Sequence, residues 1–214
     1  MTETSTMDND SGATVSMTIR VVDPFTGQAL QAVEVGHNGM RIPTDINGIA
    51  VLDIPAGPYA VTLDTPGTPT HRVQGVAGNV AFTQITFMGT EAITAQTVQA
   101  LGLSRDLSKG FLVVGLDRPN LSPAVGASAA LDVMYDTAFV FAGFAPSAGT
   151  SIPAGGQSFV SFPNAAVGEA QVTVENSDGG QTCSVFPAGI QGEAGTVDLR
   201  AGEIAVIAFT CPEG

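Results

Sequence analysis

The sequence has no tryptophan, only two tyrosines and two histidines, and few charged residues for its length. Charged side chains make up 13% of the 214 residues, which is roughly half of the usual share. Seven basic residues stand against twenty acidic ones, which gives a net charge of −13. Because such a chain repels phosphate backbones and anionic lipids, the composition argues against nucleic acid as a partner.

Long apolar runs are also missing. No stretch approaches the ~18 consecutive apolar residues of a membrane-spanning helix. The first residues, Met1 to Thr4, are polar and acidic, whereas a signal peptide begins basic and continues apolar. Either the protein is cytoplasmic, or the sequence starts after a removed signal. The second alternative is favoured, because residues 1–12 resemble the polar tether that follows a lipidated cysteine in surface lipoproteins. That resemblance implies a secreted or cell-surface protein with a lipid tether upstream.

The residues of common catalytic sites are scarce. Nucleophilic catalysis requires a base within hydrogen-bond reach of a nucleophile, but His37 and His71 both lie in segments that read as exposed turns. The sequence contains neither a Gly-x-Ser-x-Gly elbow nor a Gly-x-x-x-x-Gly-Lys phosphate loop. We therefore predict no catalytic residue, no cofactor and no enzymatic activity.

Turn-forming residues are abundant, with 26 glycines and 13 prolines. Between the turns, side chains alternate in the period of two that is typical of half-buried strands. Residues 13–22 alternate in this way, and so do residues 59–64. These patterns predict an all-β fold.

One central stretch, TDINGIAVLDIPAGPYAVTL at 44–63, has the order turn, strand, turn, strand. It resembles the central pattern of carboxypeptidase regulatory-like domains, and VVDPFTGQALQAVEV at 21–35 resembles the pattern that precedes it. The resemblance covers residues 13–90. It implies a small transthyretin-like, Ig-like β-sandwich of the kind found as non-catalytic modules on secreted and surface proteins.

Intradiol dioxygenases also contain a transthyretin-like sandwich, and they hold iron with two tyrosines and two histidines. This chain has Tyr59, Tyr135, His37 and His71, but Tyr59 lies between the two histidines. The order differs from that family, so we interpret Tyr59 as a core residue whose hydroxyl reaches the rim of the sandwich.

The second half repeats the first in degenerate form. FLVVGLDRPNLSPAVGASAAL at 111–131 parallels residues 17–35, and GGQSFVSFPNAAVGEAQVTVEN at 155–176 parallels residues 47–65, with Gly156 in place of Gly48 and Gly168 in place of Gly57. Residues 91–103 lack proline, and lack glycine until Gly102, which predicts a short helix. We predict an acidic tether at 1–12, two tandem sandwiches at 13–90 and 110–214, and a helical linker at 91–109.

Two features of the second half could carry a site. Asp132 and Asp136 would share one face of a strand and are weak candidates for binding calcium. Phe139, Phe141 and Phe144 form the only aromatic cluster, which we expect to be core at two of its three positions and a partner surface where exposed.

Cys183 and Cys211 are the only cysteines, and neither is part of a metal-binding motif. Both share strand parity with apolar residues, so both should point into the second sandwich. A disulfide between them would fit a secreted protein; two buried free thiols are the alternative.

The sequence therefore favours a non-enzymatic extracellular module that is structural, adhesive or binds a protein partner. Two alternatives stay open. One is an accessory module that binds carbohydrate or a small ligand. The other is a self-associating subunit of a filament or surface layer, whose strands pair with a neighbour's sheet edge.

Overall fold

The computed structural model describes residues 13–176, 182–187, 190–191 and 195–213. Within these ranges the chain is almost entirely β-structure with one short helix, which confirms the predicted fold class. The elements are β1 (Thr14–Val22), β2 (Glu34–His37), β3 (Met40–Pro43), β4 (Ile49–Pro55), β5 (Gly57–Asp64), β6 (His71–Ala77), β7 (Phe82–Phe87), α1 (Glu91–Ala100), β8 (Gly110–Asp117), β9 (Ser128–Leu131), β10 (Phe139–Ala142), β11 (Ala145–Ala148), β12 (Gly156–Ala165), β13 (Gly168–Glu175), β14 (Ser184–Val185), β15 (Ile190–Gln191), β16 (Gly195–Leu199) and β17 (Ile204–Thr210).

The first half is a sandwich of two sheets. One sheet has the order β4-β1-β7, with β4 antiparallel and β7 parallel to β1. Facing it, β5 pairs antiparallel with both β6 and β2. The alternating apolar residues of the two sheets enclose one core, which includes Met17, Ile19, Leu52, Ile54 and Leu63.

The second half repeats this topology. β8 pairs antiparallel with β12 and parallel with β17, as β1 does with β4 and β7. β13 pairs antiparallel with β16 and β9, as β5 does with β6 and β2. The two repeats of the sequence thus correspond strand by strand.

The alignment of one glycine was wrong by one residue. Gly48 precedes β4 with a φ of 72°, and the residue that precedes β12 with a φ of 71° is Gly155, not the predicted Gly156. A left-handed turn residue must lie just before the strand, and glycine adopts that conformation without a steric penalty. Gly57 and Gly168, which open β5 and β13, do correspond, with φ values of 107° and 122°.

The two halves share a sheet. β17 pairs in parallel with β6, so that Ile204 lies opposite His71 and Val206 opposite Val73. This joins the strands of both halves into one long sheet of order β11-β10-β12-β8-β17-β6-β5-β2-β3. The sequence repeat predicted two tandem sandwiches, and it contained no sign of this shared sheet.

Polar contacts reinforce the junction between the halves. Arg72 on β6 donates to both carboxylate oxygens of Glu203, with Nε at 2.8 Å from Oε2 and Nη2 at 3.2 Å from Oε1. Gln74, also on β6, exchanges two hydrogen bonds with the backbone of Asp198. Charge-assisted paired bonds of the Arg72 kind fix geometry as well as adding stability.

The predicted helix is present but ends earlier than residue 103. Thr90 caps its first turn by accepting a hydrogen bond from the Ile93 amide, and Gly102 follows the last turn with a φ of 76°. The division into units at 13–90, 91–109 and 110–214 stays a prediction.

Candidate functional site

An apolar cavity of about 150 Å³ lies between α1, β7 and the long sheet; we call it the α1 cavity. The second half has its own core, which includes Val160, Phe162 and Val172 and which we call the second core. The cavity lies on the face of the long sheet opposite this core. β8 separates the two, because Leu112, Val114 and Leu116 pack into that core while the residues between them line the cavity. β8 is therefore covered on both faces.

Phenylalanines form much of the wall of the α1 cavity. Successive ring centroids lie 6.3 Å apart from Phe87 to Phe159, 5.4 Å from Phe159 to Phe141 and 5.6 Å from Phe141 to Phe139. Phe111 continues this row, 6.1 Å from Phe139. The space remains open because the long sheet has small residues at Gly115 and Ala208, which lie opposite each other on β8 and β17.

Two titratable side chains line the α1 cavity among the described residues. Asp117 ends β8; burial raises its pKa to about 6, and a hydrogen bond from Ser158 opposes that rise. His71 begins β6; burial lowers its pKa to about 4, so the imidazole is neutral at pH 7. Its Nδ1 donates to the Pro69 carbonyl at 2.9 Å, which leaves Nε2 as an acceptor.

Thr86 is another residue beside the α1 cavity, but its hydroxyl is enclosed by protein and does not face the open space. Thr86 lies on β7 and is 2% exposed, and within the described part of the chain its Oγ1 has no hydrogen-bond partner. Burying a hydroxyl without a partner costs about 1–3 kcal/mol. An apolar cavity with a few polar groups and shifted pKa values is the usual form of a small-molecule site.

We expect Thr86→Val to raise the free energy of unfolding by about 1–2 kcal/mol, because it replaces the unpaired hydroxyl by a methyl group of similar shape. Urea unfolding measures the change. Thr44→Val is the matched control: the Thr44 hydroxyl donates to the Leu30 carbonyl at 2.7 Å and accepts from the Val33 amide at 3.0 Å. The control should lose stability, and a loss in both variants would contradict the prediction.

The sequence predicts that both histidines are exposed turn residues, and this prediction is wrong. His37 is buried on β2, with its Nδ1 at 3.1 Å from the Ala60 carbonyl, and His71 is buried on β6. Tyr59 does belong to a core, but its hydroxyl does not reach the rim: the group is buried and unpartnered within the described ranges. Burial accordingly raises the pKa of Tyr59.

Asp132 and Asp136 do not share a strand face. β9 ends at Leu131, and both Asp132 and Asp136 lie at bends instead of within a strand. Asp132 accepts a hydrogen bond from the Gln171 amide at 2.7 Å, and Asp136 accepts one from Asn164 at 2.7 Å. Within the described ranges, no group of three or more His, Cys, Asp or Glu is placed to bind a metal ion.

The structure joins Cys183 and Cys211 in a disulfide. Ser184 on β14 pairs with Thr210 on β17, so each cysteine lies one residue beyond this pair and directly opposite the other. Both cysteines are buried in the second core.

The aromatic cluster is divided as expected. Phe139 and Phe141 are buried, and Phe144 is 72% exposed in the turn between β10 and β11.

Asp117 was not predicted from the sequence, although its position contained a signal. It continues the alternation of Phe111, Val113 and Gly115 toward one face of β8.

The strands at the two ends of the β11-to-β3 path of the long sheet are short. β3 and β11 have four residues each, with a proline at Pro43 and at Pro146. Short, proline-containing edges limit pairing with another chain.

Within the described ranges, no helix has both the length and the apolar composition that a membrane span requires.

No protein-family model matches the sequence, and no curated protein matches it. Among solved structures, it is similar to the TIE protein of Bacillus anthracis at 14% identity and a TM-score of 0.28, covering 92% of this chain and 34% of that one. The minor pilin of Streptococcus agalactiae has 10% identity, a TM-score of 0.32 and coverage of 94% and 96%. The major pilin subunit of Bacillus cereus has 8% identity, a TM-score of 0.27 and coverage of 92% and 99%. TM-scores of this size establish neither a common fold nor a common function.

Proposed function

We propose that this chain is a non-enzymatic structural module of an extracellular or cell-surface protein. The observation that carries the proposal is the long sheet, which runs through both sandwiches and couples them without an extended linker. A module whose halves are coupled in this way holds its neighbours at a fixed distance and orientation. The disulfide supports an oxidising compartment.

This function requires the two halves to unfold as one unit. We expect one calorimetric transition whose enthalpy equals the van't Hoff enthalpy, since the β6–β17 pairing makes each half depend on the other. Two separate transitions would contradict the structural coupling.

The ion pair at the junction provides a sharper test. We expect Arg72→Met to lower the free energy of unfolding by about 2 kcal/mol, because the hydrogen bonds to Glu203 are charged and the Arg72 side chain is only 10% exposed. Arg41→Met is the matched control. Arg41 pairs with Asp64 at 3.6 Å and its side chain is 62% exposed, so its loss should cost at most about 0.5 kcal/mol. Equal losses in the two variants would show that the junction contributes no special stability.

A second candidate function, small-ligand binding, is favoured by a different observation. The α1 cavity combines an aromatic wall with the half-buried carboxylate of Asp117 and the buried imidazole of His71. Keeping such polar groups in an apolar cavity lowers stability unless a ligand satisfies them. At β3 and β11 the sheet-edge alternative receives less support, because each of these two edge strands contains a proline.

A further inference from the structure

We propose that the α1 cavity binds a small protonated amine with an aromatic or branched aliphatic body, with its ammonium group held by Asp117. The inference rests on the second candidate function and names the class of ligand. It follows from the polar groups that line the cavity, from the arrangement of the phenylalanines and from the size of the space.

The polar groups offer acceptors. Asp117 contributes a carboxylate, and His71 contributes the unprotonated Nε2. Among the described residues that line the cavity there is no lysine or arginine, so the charge of Asp117 has no cation beside it there. A ligand that brings hydrogen-bond donors and a positive charge complements this lining.

The aromatic wall favours a cation at the same end. Phe159 on β12 lies opposite Gly115 on β8, and Asp117 is two residues further along β8. Diagonal neighbours of this kind are about 7–8 Å apart in a sheet. An ammonium group at the carboxylate would therefore lie close to the Phe159 ring, and aromatic faces attract cations within about 6 Å of the centroid.

Another phenylalanine of the cavity wall, Phe111, already has a cation over its ring. The guanidinium of Arg105 lies 5.5 Å from the Phe111 centroid, and its Nε is 3.7 Å from Glu91. Phe111 and Asp117 are at opposite ends of β8, so Arg105 compensates Glu91 rather than Asp117. At the other end of β8, the positive charge of a ligand would pair with the carboxylate of Asp117.

The cavity volume limits the body of the ligand. An apolar cavity of about 150 Å³ is large enough for a benzene-sized molecule. A single aromatic ring or a branched aliphatic group of similar size would contact the phenylalanines, and a flexible linear chain would fill the width of the cavity less well.

The test compares benzylamine, which is protonated at pH 7.5, with benzyl alcohol, a neutral molecule of similar shape. Titration calorimetry on the whole chain measures both. We expect the amine to bind at least tenfold more tightly, and we expect Asp117→Asn to remove this advantage. Asp53→Asn is the charge-matched control, since Asp53 is exposed on β4, away from the cavity, and it should leave the tenfold difference unchanged.

The pH dependence gives an independent readout. Asp117 must be ionised to bind the amine, and its pKa in the folded protein is about 6. The other titratable group that lines the cavity in the described structure, His71, stays neutral above about pH 4. Affinity should therefore fall about tenfold between pH 7.5 and pH 5, and it should stay constant in Asp117→Asn.

Three results would overturn the inference. Equal binding of both probes, unaffected by Asp117→Asn, would leave ligand binding intact but exclude the cation. Binding of neither probe would overturn ligand binding as well. Tighter binding of Nα-acetyl-lysine amide than of benzylamine would point to the lysine side chain of a protein, in place of a free amine with a compact body.

Discussion

Reduction of the Cys183–Cys211 bond should lower the free energy of unfolding by about 3–4 kcal/mol. The two cysteines are 28 residues apart in sequence, and a cross-link that closes a loop of this length restricts the unfolded chain by about that amount in the chain-entropy model. The bond also anchors β14 to β17, the strand that joins the two halves. Its loss should therefore reduce the stability of the whole sheet.

Urea unfolding with and without reductant measures this effect. The control is the double variant Cys183→Ala/Cys211→Ala, whose stability should not respond to reductant. A change below about 1 kcal/mol in the wild type would contradict the prediction, since disulfides of this loop length typically contribute 2–4 kcal/mol. Mass spectrometry of native material, alkylated without reductant, tests the compartment: two alkylated thiols would remove the argument for an extracellular location.

Asp117→Asn should stabilise the protein at neutral pH by up to about 3 kcal/mol. The pKa of Asp117 rises from 3.8 to about 6 on folding because the carboxylate is partly buried, and a tenfold change in an acid dissociation constant corresponds to about 1.4 kcal/mol. Asparagine keeps the shape of the side chain and an oxygen that can accept from Ser158, but it carries no charge. The variant therefore avoids the cost of burying a carboxylate.

The stability difference between wild type and variant should depend on pH. Below about pH 4 the carboxyl group is protonated in both the folded and the unfolded state, so the two proteins should have similar stability. Between about pH 4 and pH 6 the unfolded chain releases its proton while the folded protein keeps it, and the wild type loses stability as the pH rises. The advantage of Asp117→Asn should appear across this window and stay constant above it. A variant that is less stable at pH 7.5, or one whose advantage does not change with pH, would contradict the burial of this carboxylate.

The internal repeat could be predicted from the sequence because the alternation of side chains in a strand depends on neighbouring residues. Alternating side chains in residues 13–22 and 59–64, and the turn glycines Gly57 and Gly168, predicted two sandwiches with equivalent strands. The helix followed from a segment without proline or internal glycine. Strand parity and apolar neighbours also placed Cys183 and Cys211 inside the second sandwich. Each inference used residues whose conformation depends mainly on their immediate neighbours.

The sequence-based predictions that were wrong have a common cause. Asp132 and Asp136 have the spacing of a strand face, but β9 ends at Leu131, because the end of a strand is set by its partner and not by its own alternation. His37 and His71 looked like exposed turn residues next to Asn38 and Thr70, and pairing with distant strands buried both. The pattern of side chains along one segment gives no information on where its partner strand will lie.

The sequence by itself determined the all-β class, the internal repeat and the short helix, since side-chain period and turn chemistry act within a few residues. Only the tertiary structure decided that β17 pairs with β6, and therefore that the halves share a sheet. It also decided that α1 and β7 cover the face of β8 that carries Gly115 and Asp117. Pairing of strands that are more than 130 residues apart in sequence depends on which edges and faces meet after both sandwiches have formed. The cavity and its half-buried carboxylate at Asp117 exist only because those edges and faces meet.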